Sequence, residues 1–127
     1  MMSNPVGWFE IYVNELDRAK AFYQSVLDIK LKPMGDPTEH KGIEMLAFPS
    51  NMETYGATGA LVKMDGYNVS GNGTVVYFSC QDCALESSRV VAAGGKIQQA
   101  KMPIGEYGFI SLAIDTEGNM FGLHSMT

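Results

Sequence analysis

The first hydrophobic pattern along the chain has a period of two. Between residues 6 and 13 the side chains alternate between two faces, and the carboxylate of Glu10 is the one charged group among them. This alternation predicts a strand, because successive side chains of a strand point to opposite faces. One face carries Gly7, Phe9, Ile11 and Val13, and the other carries Val6, Trp8, Glu10 and Tyr12.

The pattern then changes to a helical period. Asn14 is the predicted N-cap, with Asp17 three residues later, and the apolar residues that follow recur three and four positions apart. They are Leu16, Ala19, Phe22, Tyr23, Val26 and Leu27. Three strands, LKPM, IEMLAF and GALVK, complete this half of the chain and are separated by turns rich in Gly, Pro and Asn.

The second half of the chain repeats this order. A shift of about 67 residues places the second half over the first, strand upon strand and helix upon helix. The second half contains the strand TVVYFS, a helix over residues 82–93 that ends before Gly94 and Gly95, and the strands KIQQA, FISLAI and MFGLHS. We therefore predict an α+β fold of two βαβββ modules, about residues 5–66 and 72–127, in one domain that spans residues 1–127.

The composition excludes several classes of protein. The chain has 127 residues, of which 46% are hydrophobic and 18% charged, and this suits a single globular domain. Its nine Lys and Arg are scattered and its net charge is −5, so nucleic acid is not an expected partner. We expect a cytoplasmic protein with no membrane partner, because no apolar run is long enough for a spanning helix and the N-terminus lacks a signal-peptide pattern.

Four phrases of the sequence, VNELDRAKAFYQSVL, AAGGKI, PIGEYGF and DTEGNMFGLHS, resemble the vicinal oxygen chelate (VOC) superfamily. This superfamily includes glyoxalase I, bleomycin-resistance proteins and extradiol dioxygenases. The likeness extends over nearly the whole chain, although Thr116 stands where the family often has proline.

The resemblance implies the glyoxalase/bleomycin resistance/dihydroxybiphenyl dioxygenase fold, in which paired modules form a curled sheet, or cup, with the helices outside. It also implies a homodimer and a small-molecule ligand, often bound over a divalent metal. The modules pair either within one chain or across a dimer.

The resemblance also indicates where a metal would bind. The enzymes of the family place one metal ligand on the first strand and one on the last strand of each module, typically His, Glu or Gln. In this sequence the corresponding positions are Trp8, Val75, Gly122 and a residue between Gly59 and Leu61, and none of these has a ligand side chain. We therefore expect no metal cofactor.

Glu10, Tyr77 and His124 each follow one of these positions by two residues and share its face of the strand. They are the candidate catalytic residues, because a carboxylate, a phenol and an imidazole can orient a substrate or exchange a proton with it. The candidate substrate-binding residues around them are Trp8, Tyr12, Phe48, Phe109 and Met120. Three alternatives remain: Glu10 is solvated or paired with Lys or Arg, His124 is simply a hydrogen-bonded residue, or the two together hold a divalent metal.

Two further motifs have two interpretations each. Cys80 and Cys83 form a CxxC pair where a strand gives way to a helix, which suits either redox exchange or packing in the core. The segment PIGEYGF, residues 103–109, is either a rim loop that closes over a ligand or a hairpin connection whose aromatic residues pack.

Three functional classes remain. The preferred one is a binding protein that holds a small, partly aromatic molecule in the cup or the dimer crevice without the usual metal. The second is a metal-dependent or acid-base lyase, isomerase or dioxygenase that uses Glu10 and His124. The third is a redox protein that uses the CxxC pair. We rank the binding protein first because the four expected ligand positions carry no ligand side chain. This counts against metal chemistry but not against a cup that binds a small molecule.

Overall fold

The structure, a computed structural model, describes residues 4–35, 41–69 and 73–127. The helices are α1 (Leu16–Leu27) and α2 (Cys83–Arg89). The strands are β1 (Val6–Tyr12), β2 (Lys32–Met34), β3 (Ile43–Ala47), β4 (Thr58–Met64), β5 (Thr74–Ser79), β6 (Lys96–Pro103), β7 (Phe109–Ile114) and β8 (Met120–Ser125). Each half therefore runs strand, helix and three strands, and the predicted α+β fold of two βαβββ halves is confirmed.

The chain divides into two compact units. Residues 9–74 form the N-terminal unit, and residues 75–127 with residues 4–8 form the C-terminal unit. Strand β1 gives its first three residues to the C-terminal unit and the others to the N-terminal unit. The strand order is β2-β3-β4-β1 in the N-terminal unit and β1-β5-β8-β7-β6 in the C-terminal unit. No helix in the described parts of the chain is long and apolar enough to cross a membrane.

In the N-terminal unit the core lies between α1 and one face of the sheet. Leu31, Leu46 and Leu61 form its centre and are at most 8% exposed. The residues that pack around them are Ile11, Val13, Leu16, Ala19, Tyr23 and Phe48. Because Ile11 faces α1, the alternation of β1 places Glu10 and Tyr12 on the opposite face.

In the C-terminal unit a parallel pair, β5 and β8, lies beside the antiparallel strands β7 and β6. Helix α2 packs on one face through polar contacts. The Cys83 amide donates to Ser125 Oγ at 2.9 Å, and Ser87 Oγ lies 3.1 Å from Ser111 Oγ. Ser125 therefore faces α2, and the alternation of β8 places His124 on the opposite face.

The start of α1 differs from the prediction. The N-cap is Glu15, which makes no side-chain cap bond. The Asn14 side chain bonds to a distant segment instead: Nδ2 donates to the Val69 carbonyl at 3.1 Å, and the Val69 amide donates to Oδ1 at 2.8 Å. The prediction of Asn14 as N-cap was therefore wrong, because its amide group can satisfy both backbone groups of Val69 at once.

Replacing Asn14 with Ala is expected to lower the free energy of unfolding by about 1 kcal/mol, because both backbone groups of Val69 lose their partner. Asn14→Asp keeps only the acceptor for the Val69 amide, so its loss should be smaller. Glu15→Ala, at the N-cap without a cap bond, serves as the control and should change stability least. Urea denaturation measures all three, and equal stability of Asn14→Ala and the wild type would contradict the role of this contact.

Candidate functional site

Glu10 is a buried carboxylate on the face of β1 opposite α1. It is 9% exposed, and the Tyr12 hydroxyl donates a hydrogen bond to its Oε1 at 2.9 Å. The Tyr12 ring meets the Tyr67 ring edge to face, with centroids 5.4 Å apart. Burial, the nearby negative charge of Glu10 and this hydrogen bond raise the pKa of Tyr12 above its ordinary value. Tyr12 is therefore a permanent donor to Glu10, and the alternative of a solvated Glu10 is wrong.

Tyr77 covers Gly122 in the C-terminal unit. The parallel pairing of β5 and β8 sets these two residues side by side. A Cβ atom added to Gly122 would overlap the carbon atoms of the Tyr77 ring, and Tyr77 itself is only 6% exposed. Gly122 is one of the positions where the resemblance to the enzymes of the family predicts a metal ligand. The aromatic ring of Tyr77 takes the space that such a side chain would need.

His124 contacts the segment between β6 and β7. Its Nε2 lies 2.6 Å from the carbonyl oxygen of Tyr107, which belongs to a 3₁₀ turn, Gly105–Tyr107. Within the PIGEYGF segment, Ile104 is buried at 8% exposure, whereas the Tyr107 side chain is 41% exposed. One end of this segment is thus anchored in the protein, and its tip carries an exposed phenol.

Two of the predicted substrate-binding residues lie on the helix side of their sheets. The Phe48 ring centroid is 5.4 Å from that of Phe9 and 5.8 Å from that of Tyr23, a residue of α1. The prediction that Phe48 surrounds Glu10 was therefore wrong, because Glu10 points to the opposite face. Phe48 instead lines an apolar groove of about 340 Å³ beside α1.

Phe109 is displaced in the same way. It pairs with Ser125, which faces α2, and residues paired across an antiparallel ladder share a face. Lys101 Nζ lies 4.7 Å from the centre of the Phe109 ring and also donates to Asp82, the N-cap of α2, at 2.8 Å. The prediction that Phe109 shares the face of His124 was therefore wrong.

The remaining predicted residues fall into two groups, one in each unit. Glu10 and Tyr12 come together in the N-terminal unit. In the C-terminal unit Met120 shares the face of Gly122 and His124 by alternation along β8, and Trp8 lies on β1. The role of each residue in catalysis or substrate binding stays a prediction.

The residues at the expected ligand positions do not fit a divalent metal. Trp8 offers only an indole N–H, which donates and cannot coordinate, and Val75 and Gly122 offer no donor atom. On β4, Gly59 lies against the Phe9 backbone, and no ligand side chain is present up to Leu61. Within residues 4–35, 41–69 and 73–127, no group of three or more His, Cys, Asp or Glu side chains is placed to hold a metal ion.

Two contacts of the candidate residues were missed by the sequence analysis. Tyr67 stands in the connection after β4, where no periodicity predicts that its ring meets Tyr12. The contact of His124 uses the carbonyl oxygen of Tyr107, a backbone atom that every residue has. The juxtaposition of Tyr77 and Gly122 likewise depends on the register of β5 against β8, which no pattern within either strand predicts.

The CxxC pair has the properties of packed thiols. Cys83 begins α2 and is fully buried, whereas Cys80 is partly exposed. Burial raises the pKa of Cys80 to about 11, and the negative charge of Glu86 adds to the shift. Redox-active thiols of CxxC motifs have a lowered pKa instead. This geometry favours core packing over redox exchange.

Comparison with known proteins identifies relatives of the fold. The profile of the Glyoxalase/Bleomycin resistance protein/Dioxygenase superfamily matches residues 6–123. No curated protein matches the chain significantly. Many solved structures share its fold, and three of them, all at low sequence identity, are described next.

The first is a variant of methylmalonyl-CoA epimerase from Streptomyces coelicolor in complex with 2-nitronate-propionyl-CoA, with 15% identity, 98% coverage of both chains and a TM-score of 0.70. The second is the hypothetical protein BH1468 from Bacillus halodurans C-125, with 13% identity, 99% and 96% coverage and a TM-score of 0.74. The third is methylmalonyl-CoA epimerase from Mycobacterium tuberculosis, with 16% identity, 100% and 93% coverage and a TM-score of 0.69.

The Cys80 thiol is expected to titrate near pH 11 in the folded protein. The ultraviolet absorbance of the thiolate, followed against pH in a Cys83→Ala variant, measures this value. Glu86→Gln in the same background removes a negative charge and should lower the apparent pKa. A thiol that titrates near the ordinary pKa of about 9 would contradict the effect of burial on Cys80.

Because the pKa of Cys80 is raised in the folded protein, the stability that Cys80 contributes should decrease as the pH rises. The contribution of Cys80 to the free energy of unfolding is fully present below about pH 9, the pKa of the thiol in the unfolded chain. It is lost as the pH rises through about 11, the pKa in the folded protein. The difference in unfolding free energy between the wild type and Cys80→Ser should therefore shrink over this interval.

Proposed function

The chain belongs to the Glyoxalase/Bleomycin resistance protein/Dioxygenase superfamily, and we propose that it binds a small, partly aromatic molecule without the divalent metal that the family often uses. One observation carries the proposal: the Tyr77 ring covers Gly122, a position where the enzymes of the family are expected to place a metal ligand. An ion bound there would require a side chain that the ring excludes.

The polar groups near the empty positions suit a hydrogen-bonding ligand. In the N-terminal unit, the Tyr12 hydroxyl donates a hydrogen bond to the carboxylate of Glu10. The C-terminal unit, taken by itself, contains the phenol of Tyr77 and the imidazole of His124. A few polar groups among aromatic side chains are typical of small-molecule sites.

A homodimer is part of the proposal. Helix α1 has no buried residue, and three of its apolar side chains are more than half exposed: Phe22 at 58%, Val26 at 62% and Leu27 at 53%. Exposed apolar side chains that are adjacent on one helix are typical of a contact surface. Their burial against a second copy would remove them from water.

The binding proposal predicts saturable, metal-independent binding that the single tryptophan reports. Trp8 is the only tryptophan in the chain, so its fluorescence is free of other indole signals. In chelator-treated protein, we expect at least one compound of a panel of bleomycin, methylmalonyl-CoA and small aromatic acids to change this fluorescence saturably. Tyr77→Ala should weaken that binding at least about tenfold if the ring contacts the ligand.

Two controls make the result specific. Tyr55→Ala removes a ring that is 95% exposed and should leave binding unchanged. Tyr77→Phe keeps the ring over Gly122, and it separates loss of the hydroxyl from loss of packing. Elemental analysis of protein purified without chelator gives the opposing outcome: one divalent metal per chain that disappears on Glu10→Ala or His124→Ala would reject metal-free binding.

The contact between Glu10 and Tyr12 favours a second candidate, acid-base catalysis. A buried carboxylate that is held in one orientation can remove a proton from carbon, and solvent can return one in its place. Two of the structurally similar proteins are methylmalonyl-CoA epimerases, so methylmalonyl-CoA is a reasonable probe.

Incubation of methylmalonyl-CoA with the protein in D₂O separates the two functions. A pure binding protein should give no deuterium at the acidic carbon beyond the buffer control, as mass spectrometry would show. Incorporation that is lost in Glu10→Gln and reduced in Tyr12→Phe would establish acid-base chemistry instead. Asp28→Asn, a change on the surface at the end of α1, serves as the matched control.

A further inference from the structure

The His124 side chain leaves β8 on the face opposite α2. Its neighbours along the strand, Leu123 and Ser125, point to the other face, where Ser125 Oγ accepts from the Cys83 amide. Nε2 of the His124 ring lies 2.6 Å from the carbonyl oxygen of Tyr107. This short hydrogen bond connects a central strand to the segment between β6 and β7.

The contact determines which ring nitrogen carries the proton. A backbone carbonyl can only accept, so Nε2 must carry the hydrogen in both the neutral and the charged imidazole. In neutral His124 the acceptor is then Nδ1. Nε2 cannot serve as a base without losing its hold on Tyr107.

Backbone contacts hold the two ends of the segment. The Ile104 amide donates to the Gly108 carbonyl at 2.9 Å, which closes residues 104–108 into a small loop. Gly108 has a φ of 99°, and a Cβ there would overlap the Ser125 carbonyl. Ile104 and Gly108 therefore fix the base of the loop, and the hydrogen bond from His124 fixes its tip, where Glu106 and Tyr107 are exposed.

We propose that His124 is a positioning residue, whose Nε2–H holds the loop of residues 104–108 so that Glu106 and Tyr107 meet the ligand, and that Nε2 does not exchange a proton. This inference rests on the proposed ligand-binding function. Under this proposal, His124 does not act as an acid or base through Nε2. It holds the loop in the position that ligand recognition requires.

The tautomer can be tested in the ligand-free protein. Nitrogen-15 NMR of the imidazole rings, with His40→Gln for assignment because the chain has two histidines, should show a protonated Nε2 and a bare Nδ1 in neutral His124. The opposite tautomer would overturn the proposal, because an unprotonated Nε2 cannot donate to the carbonyl.

Hydrogen exchange tests the hold on the loop. His124→Leu is expected to speed exchange of the Ile104 and Gly108 amides about tenfold, since one hydrogen bond that orders the loop is lost. His124→Gln offers an amide N–H in place of Nε2–H and should recover part of the protection. Tyr55→Ala, which removes a 95% exposed ring in the N-terminal unit, should leave this exchange unaltered. Wild-type exchange rates in His124→Leu would refute the role.

Ligand titration separates this inference from the function on which it rests. If the tautomer and exchange results are as expected and His124→Leu also weakens binding of bleomycin or methylmalonyl-CoA while His124→Gln restores it, both are supported. If neither compound nor the aromatic acids bind the wild type, the proposed function fails. The NMR results still show whether His124 donates its Nε2–H to the loop. If a compound binds equally to wild type and His124→Leu, the positioning role in recognition fails and the function stands.

Discussion

The packing of the Tyr77 ring over Gly122 is the contact on which the chemistry of the C-terminal unit depends. The parallel register of β5 and β8 brings the two residues together, and only glycine leaves room for a ring at that distance. The ring is buried, so it would have to leave a packed position before any other side chain could enter. The same register sets His124 two residues further along β8, beyond the ring and within reach of the Tyr107 carbonyl.

The two units use polar side chains for different purposes. In the N-terminal unit the buried Glu10 and the half-buried Tyr12 form a hydrogen-bonded pair on the face opposite α1, while α1 packs through leucines and aromatic rings. In the C-terminal unit the polar contacts lie mainly under α2. Ser111 donates to the Gln99 carbonyl at 2.9 Å, so Ser87 must be the donor in the bond between the two hydroxyls. A helix of seven residues is thus held by directed hydrogen bonds.

The sequence predicted the elements well because their periods are strong. Alternation in β1 correctly separated Glu10 from Ile11. Face assignments failed where they depended on pairing between strands: Phe109 shares a face with Ser125, and no pattern within FISLAI reveals that partner. Phe48 lies just past the end of β3, where the strand period no longer applies. Asn14 satisfied the local rule for a helix cap, but two backbone groups of a residue 55 positions away in sequence were the better partners.

Several of the expected metal-ligand positions, and not one alone, lack a side chain that could coordinate a metal. A carboxylate introduced at Gly122 alone would collide with Tyr77, and two other expected ligand positions, Val75 and Trp8, offer no coordinating atom. A divalent ion generally needs three or more protein ligands, so one substitution would leave a buried charge rather than a metal site. The same residues suit an aromatic ligand as they stand, because rings and single hydrogen-bonding groups require no such set of donors. The proposed binding would therefore depend on shape and on a few hydrogen bonds, whereas the alternative of proton transfer would depend on the part-buried contact between Glu10 and Tyr12.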